Sequence, residues 1–159
     1  MPGELVLVSK ETPKFDELVE AFLARNFSKL ASYAEAITSQ KGAIQGLQLT
    51  LISLCRLGDF AKAYWLAQIA IDRIKPSDPW SADLIALAVG KSSLDNFISE
   101  NIPKVQKCQA TYYAGAANLS RGEIEAARRN FLACKEIDAP CLELFLAETE
   151  LKALKKLAE

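Results

Sequence analysis

Residues 54–76 read LCRLGDFAKAYWLAQIAIDRIKP, and residues 118–140 read NLSRGEIEAARRNFLACKEIDAP. Laid on one another, Gly58 meets Gly122, Phe60 meets Ile124, Ala63 meets Ala127, Ala67 meets Phe131, Ala70 meets Cys134 and Pro76 meets Pro140, at an interval of 64 residues. Gly90, in ALAVGKSSLDNF, stands halfway, so the interval divides into two of 32. One unit earlier, LARNFSKLASYAEAI repeats the pattern at an offset of 33: Asn26 against Asp59, Phe27 against Phe60, Leu30 against Ala63, Ala34 against Ala67. A fixed period of this size marks supersecondary units that bury their apolar faces only against neighbours.

Each unit reads as two helices around a tight turn. Leu47, Leu51, Leu54 and Leu57 recur at helical period before Gly58, which permits the left-handed residue that ends a helix. Asp59 is placed to cap a second helix with the stripe Phe60, Ala63, Ala67, Ala70 and Ile74, closed by Lys75 and Pro76. The fourth unit repeats this with Tyr112, Ala116 and Leu119 before Gly122, and Ile124, Ala127, Phe131 and Cys134 after it. Prolines 13, 76, 79, 103 and 140 fall at the boundaries, where a missing N–H does least harm. Small residues (Ala63, Ala67, Ala70, Gly115, Ala127) let paired helices approach, with Phe60, Trp65 and Phe131 filling the gaps beside them.

The spacing therefore predicts an all-α chain. An extended segment covers residues 1–10, and four units follow at about 11–42, 43–76, 77–107 and 108–140, the third degenerate. Residues 141–159, CLELFLAETELKALKKLAE, close the array as a capping helix. Its Leu142, Phe145, Leu146, Thr149 and Leu154 are expected to face the array, and Glu143, Glu148, Lys152, Lys155 and Lys156 to face water. Leu5–Val8 is a short β-like run that could pack over the open end or pair with another chain.

Composition removes whole classes of function. The chain has 159 residues, 50% apolar, with a formal net charge of −1 and no basic block, so the footprint of a nucleic-acid binder is missing. No apolar run approaches the roughly 20 residues of a membrane span, and MPGELVLVSKETPK does not read as a signal peptide. With no histidine, no Ser/His or Cys/His pair and no HExxH zinc site can be assembled. Cys55, Cys108, Cys134 and Cys141 show no C-x-x-C spacing and read as reduced thiols in a cytoplasmic protein. No metal or cofactor is implied, and an enzyme is not expected.

The local features that look like chemistry have plainer readings. Gly90-Lys91-Ser92 is the tail of a phosphate-loop pattern whose first glycine is replaced by Ile85, on a segment that reads as helix. Asn26-Phe27-Ser28 and Asn118-Leu119-Ser120 match glycosylation sequons by chance. Arg121, Arg128, Arg129 and Lys135 are interleaved with Glu123 and Glu125 as a solvated mixed-charge face, and Asp16, Glu17 and Glu20 are surface charge.

The unit spacing resembles the tetratricopeptide repeat: glycine at the turn, an aromatic two residues on, alanine five on, an aromatic or alanine nine on, proline eighteen on. Gly58, Phe60, Ala63, Ala67 and Pro76 meet it, as do Gly122, Ile124, Ala127, Phe131 and Pro140, and Gly115 matches the small residue of the family's first helix. The first unit departs with Arg25 for glycine and Leu30 for alanine, and the third with Asp95 at the alanine position and Pro103. The resemblance implies a right-handed superhelix of antiparallel helix-turn-helix units, with partners held along the concave surface. Its groove positions fall on Phe15 and Val19, Gln48 and Ile52, Trp80 and Leu84, and Tyr112 and Ala116. The Lys/Asn/Arg set with which some members clamp a chaperone's C-terminal carboxylate is not at these positions. The implied function is an adaptor for a protein or peptide partner, without nucleic acid or membrane insertion. Length, mild acidity and the closing helix also look like the small repeat chaperones of type III secretion systems. A scaffold that self-associates into a homo-oligomer is the other alternative.

Overall fold

In a computed structural model of the chain, positions 25, 58, 90 and 122 share one backbone geometry. Arg25, Gly58, Gly90 and Gly122 have φ of 61°, 84°, 80° and 77°. In each case the next N–H reaches back to close a six-residue ring: Asn26 to Ala21 O, Asp59 to Leu54 O, Lys91 to Ala86 O and Glu123 to Asn118 O, at 2.8–2.9 Å. The turn residue's own N–H bonds the carbonyl three residues before it, at 3.0–3.1 Å. These paired bonds satisfy carbonyls that a helix end otherwise leaves open. The 33- and 32-residue intervals of the sequence are thus intervals between identical helix stops.

The structure describes residues 13–38, 44–97, 99 and 101–158; the 1–10 segment with its Leu5–Val8 run lies outside them. Every regular element among the described residues is helical. In chain order they are α1 (Phe15–Leu23), α2 (Phe27–Ala31), α3 (Ala34–Thr38), α4 (Ile44–Arg56), α5 (Phe60–Ile74), α6 (Pro79–Ala88), a 3-10 turn (Leu94–Asn96), α7 (Lys104–Ser120), α8 (Ile124–Ile137) and α9 (Leu142–Ala158). The described residues are all-α. None of these helices is long and apolar enough to cross a membrane.

Two units are full hairpins, α4–α5 and α7–α8. Asp59 caps α5 as expected, accepting from the Lys62 N–H at 3.4 Å, and Asn26 caps α2 in the same way through Lys29 N–H. The other two units are shorter in their second halves. In the first, α2 and α3 replace one continuous helix, broken at Ser32–Tyr33. In the third, a single 3-10 turn stands where a second helix would run. Asp95, the residue at the alanine position, is exposed there and could not be buried against a neighbouring helix without leaving a charge dry.

Helix α4 is the centre of the molecule. It packs against α1, α2, α3, α5, α6 and α7, and every residue from Gly46 to Cys55 is buried. The Leu47–Leu51–Leu54 stripe is one of its faces; Leu49, Ile52 and Cys55 serve the others. Thr50 and Ser53 are tolerated because their hydroxyls donate back to Leu47 O and Leu49 O at 2.8 Å. Leu57, just past the helix, is half exposed rather than part of the stripe.

The alanine rule holds where helices cross. Ala63, Ala67, Ala70 and Ala127 are buried, and a Cβ added to Gly115 would stand 2.7 Å from the Phe131 ring. Phe131 fills the space that the missing side chain leaves. Trp65 does not play this part: it is 60% exposed on the outer side of α5, and Ile124 is also exposed. Both point away from the crossings that their partners occupy. Ala127→Leu, or Ala63→Leu, is expected to lower stability by about 1–3 kcal/mol through overpacking. A melting temperature equal to that of the native chain would mean that α8 does not meet α7 on this face.

Candidate functional site

The last helix decides what the inner side of the molecule is. Along α9 the buried residues are Glu143, Leu146, Ala147, Glu150 and Leu154, a seam at i, i+3, i+4, i+7 and i+11. This corrects the expected orientation: Glu143 is buried at 1% exposure instead of facing water, and Phe145 is 50% exposed instead of facing the array. The helix is rotated so that two carboxylates face inward, and each meets partners that a leucine could not use. Lys152, Lys155 and Lys156 do face solvent. Helix α9 packs on both α7 and α8.

Glu143 closes a chain of polar contacts between α6, α7, α4 and α9. The indole N–H of Trp80 donates to Gln109 Oε1 at 3.1 Å, and Gln109 Nε2 donates to Glu143 Oε1 at 3.4 Å. The Tyr113 hydroxyl lies 2.8 Å from Glu143 Oε2 and 2.7 Å from Gln48 Oε1. Its single proton goes to the carboxylate, the stronger acceptor. A half-turn of the Gln48 amide, whose oxygen and nitrogen have the same shape, then lets Gln48 donate to the hydroxyl oxygen. Burial, and then the Glu143 charge, hold the Tyr113 phenol well above its ordinary pKa, so it stays a donor.

Glu150 is the second anchor. At 2% exposure it pairs with Arg25 through one oxygen and with Arg56 Nη1 through the other, the latter at 3.0 Å. Both guanidiniums also lie over the Phe27 ring, at 5.3 Å for Arg25 and 4.7 Å for Arg56. Burial draws the Arg56 guanidinium below its usual value, Glu150 opposes that shift, and the like charge of Arg25 adds to it. The Tyr112 hydroxyl, fully buried, has no hydrogen-bond partner among the described residues. Burial and then the Glu150 charge push its pKa far up, which places it within the field of the same carboxylate. Two cations thus hold a single carboxylate.

Arg25 explains its own departure from the repeat. A non-glycine residue in the left-handed region costs roughly 1–2 kcal/mol. Here the strained residue supplies one of the two guanidiniums that hold Glu150. Arg56, at the end of α4, supplies the other.

The spacing also fixes the direction of α9. Glu143 sits by the contact of Tyr113 with Gln48, and Glu150 sits by Arg56. The two anchor points, seven residues apart on α9 and eight apart on α4, thus follow in the same order along both helices, joined through long side chains while α9 itself rests on α7 and α8. The arrangement can do one thing chemically: grip carboxylates on a helix at two points a fixed distance apart.

Of the eight expected groove positions, the structure buries five. Gln48, Ile52, Leu84, Tyr112 and Ala116 are buried within the chain; Val19 and Trp80 are half-buried, and Phe15 is exposed. Tyr112 is a core side chain, edge-on to Tyr113 at 5.1 Å between ring centres and 5.7 Å from Phe131. The inner face is covered because α4 meets α7 directly, and α9 packs on α7 and reaches Arg56 through Glu150. The sequence reading missed Arg25, Arg56, Tyr113, Glu143 and Glu150. One signal pointed to them: an arginine at a glycine position.

The remaining candidates take their plain readings. Gly90 ends α6, and beside Gly90-Lys91-Ser92 a cleft of about 490 Å³ opens where the third unit has no second helix. Arg121 pairs with Glu123 and Arg128 with Glu125 on the mixed-charge face. No group of three or more metal-ligating side chains forms among the described residues. All four cysteines are free thiols. Burial pushes Cys55 and Cys108 up to about 12 and also raises Cys134, whereas Cys141 is half-exposed. In the native protein a thiol-specific disulfide reagent at pH 8 is expected to label Cys141 first and the other three only on denaturation. Equal labelling of all four would contradict the packing of α7 on α8.

Comparison with protein-family models, curated proteins and solved structures finds no match to this chain.

Proposed function

We propose that the chain is a protein-interaction module of the tetratricopeptide-repeat type, an adaptor whose inner face holds a helical or extended segment of a partner. The observation that supports this most is that the face grips a helix already. Helix α9 is held by polar anchors contributed from separate units, at Glu143 and at Glu150. The four equivalent turns support the superhelical repeat reading. Buried free thiols fit a reducing, cytoplasmic setting. A chaperone for an unfolded or secreted substrate is a version of the same reading, since it too presents an inner face to a guest segment.

Affinity capture from the source lysate tests this, with the native chain and Glu150→Lys as paired baits and Trp65→Glu as a control on the outer face. A partner recovered by the native chain, enriched by Glu150→Lys and unaffected by Trp65→Glu is the expected result. Recovery that depends on Trp65 and ignores Glu150 would move the site to the outer side of α5. Mass by light scattering that rises with concentration and falls with Trp65→Glu would favour the self-associating scaffold instead.

A further inference from the structure

We infer that the partner segment is an amphipathic helix carrying two carboxylates seven residues apart, and that α9 is its built-in competitor. This rests on the interaction-module reading above and gives that site its ligand chemistry and its regulation.

A helix that only closes an apolar array has no use for buried carboxylates. Taking an ion pair out of water costs several kcal/mol, and apolar residues of similar volume usually do as well or better at such places. Yet Glu143 and Glu150 are the most buried charged residues of the described chain, while Leu157 and Phe145 of the same helix lie in water. The hydrogen bonds at Glu143 and the ion pairs at Glu150 set the register of α9. The register is specific. Leu146 and Ala147 are fully buried between the two carboxylates, and Leu154 is buried beyond them.

The receptor side is larger than α9 requires. Arg25 comes from the first turn, Arg56 from α4, and Gln109 and Tyr113 from α7, so one helix reads three units at once. Two guanidiniums hold one carboxylate, leaving a net positive charge. A partner carboxylate seated between the same two guanidiniums would match Glu150 contact for contact. The competition is real because α9 is tethered by only Asp138, Ala139, Pro140 and Cys141, and short tethers give effective concentrations in the millimolar range. A free helix therefore needs clearly tighter intrinsic binding, or a weakened α9, to enter.

The test uses the full chain, native and Glu150→Lys, each first shown to keep its helical circular dichroism. If the reversed charge prevents folding, Glu150→Gln replaces it. A fluorescein-labelled peptide with the sequence of residues 141–159 is titrated into each, beside the same peptide with both Glu143 and Glu150 changed to glutamine. The expected result is binding of the acidic peptide at least tenfold tighter to the substituted chain than to the native one. The neutralised peptide is expected to bind at least tenfold more weakly than the acidic one. Equal binding of both peptides would overturn the two-carboxylate rule and leave the interaction-module reading standing. Absence of binding while α9 amides of the substituted chain exchange freely would overturn both. Absence of binding with those amides still protected would show α9 to be a fixed cap, overturning the competitor role alone.

Discussion

Glu150→Ala is expected to release α9 from the inner face, speeding hydrogen exchange of the amides from Leu146 to Leu154 about a hundredfold. Removing one member of a buried ion pair costs about 3–5 kcal/mol, because the charge left behind has neither water nor partner. The low end applies, since the Arg25 side chain keeps 32% of its exposure and can turn outward. Arg56 keeps only 17% and cannot turn so easily. About 3 kcal/mol corresponds to somewhat more than a hundredfold in a local opening equilibrium. Exchange in α4 and α5 is expected to change much less, because α9 rests mainly on α7 and α8. Unchanged exchange in α9 would mean that Glu150 is not the anchor described.

The same substitution has a diagnostic partner. Adding Arg56→Met to Glu150→Ala removes the stranded charge along with its lost counter-ion, and is expected to recover part of the loss. Strict additivity of the two changes would argue against a shared contact. Recovery would separate what the pair contributes from what its breakage costs, and for a buried pair those two quantities differ.

The fold was legible in the sequence because turns are local. A glycine between two apolar stripes, repeated at 32 or 33 residues, states where helices stop, and Gly58, Gly90 and Gly122 stop them through the same pair of bonds. Pro79 at the first turn of α6 and Pro103 just before α7 are equally local signals. The inner face was not legible, because it is made by residues 65 to 125 apart in the chain: Gln48 with Tyr113, Arg56 and Arg25 with Glu150. Reading α9 alone, hydrophobicity places Phe145 inward and Glu143 outward. Only the presence of donors across the interface reverses that choice. The burial of five groove positions was not legible for a related reason: the repeat spacing says which side of a helix faces inward, but not whether that side meets solvent or another part of the chain.

The adjacent tyrosines of α7 give the sharpest check on this packing, because the same substitution is expected to act with opposite sign at the two positions. Both rings are buried, and both keep their packing on change to phenylalanine. The Tyr113 hydroxyl lies between Glu143 and Gln48. Tyr113→Phe takes a donor from a buried carboxylate, and a hydrogen bond to a charged group contributes about 1.5–3 kcal/mol. The hydroxyl of Tyr112 has no partner among the described residues, so burying it is a cost that Tyr112→Phe removes, with a gain of about 1 kcal/mol. The two variants are therefore expected to lie about 3 kcal/mol apart in denaturant unfolding, Tyr112→Phe above the native chain and Tyr113→Phe below it. A loss at Tyr112 equal to that at Tyr113 would show that the hydroxyl does have an acceptor, and the Glu150 carboxylate is the group whose field it already feels. In that case Glu150 would be held by the two arginines and by a third donor from α7.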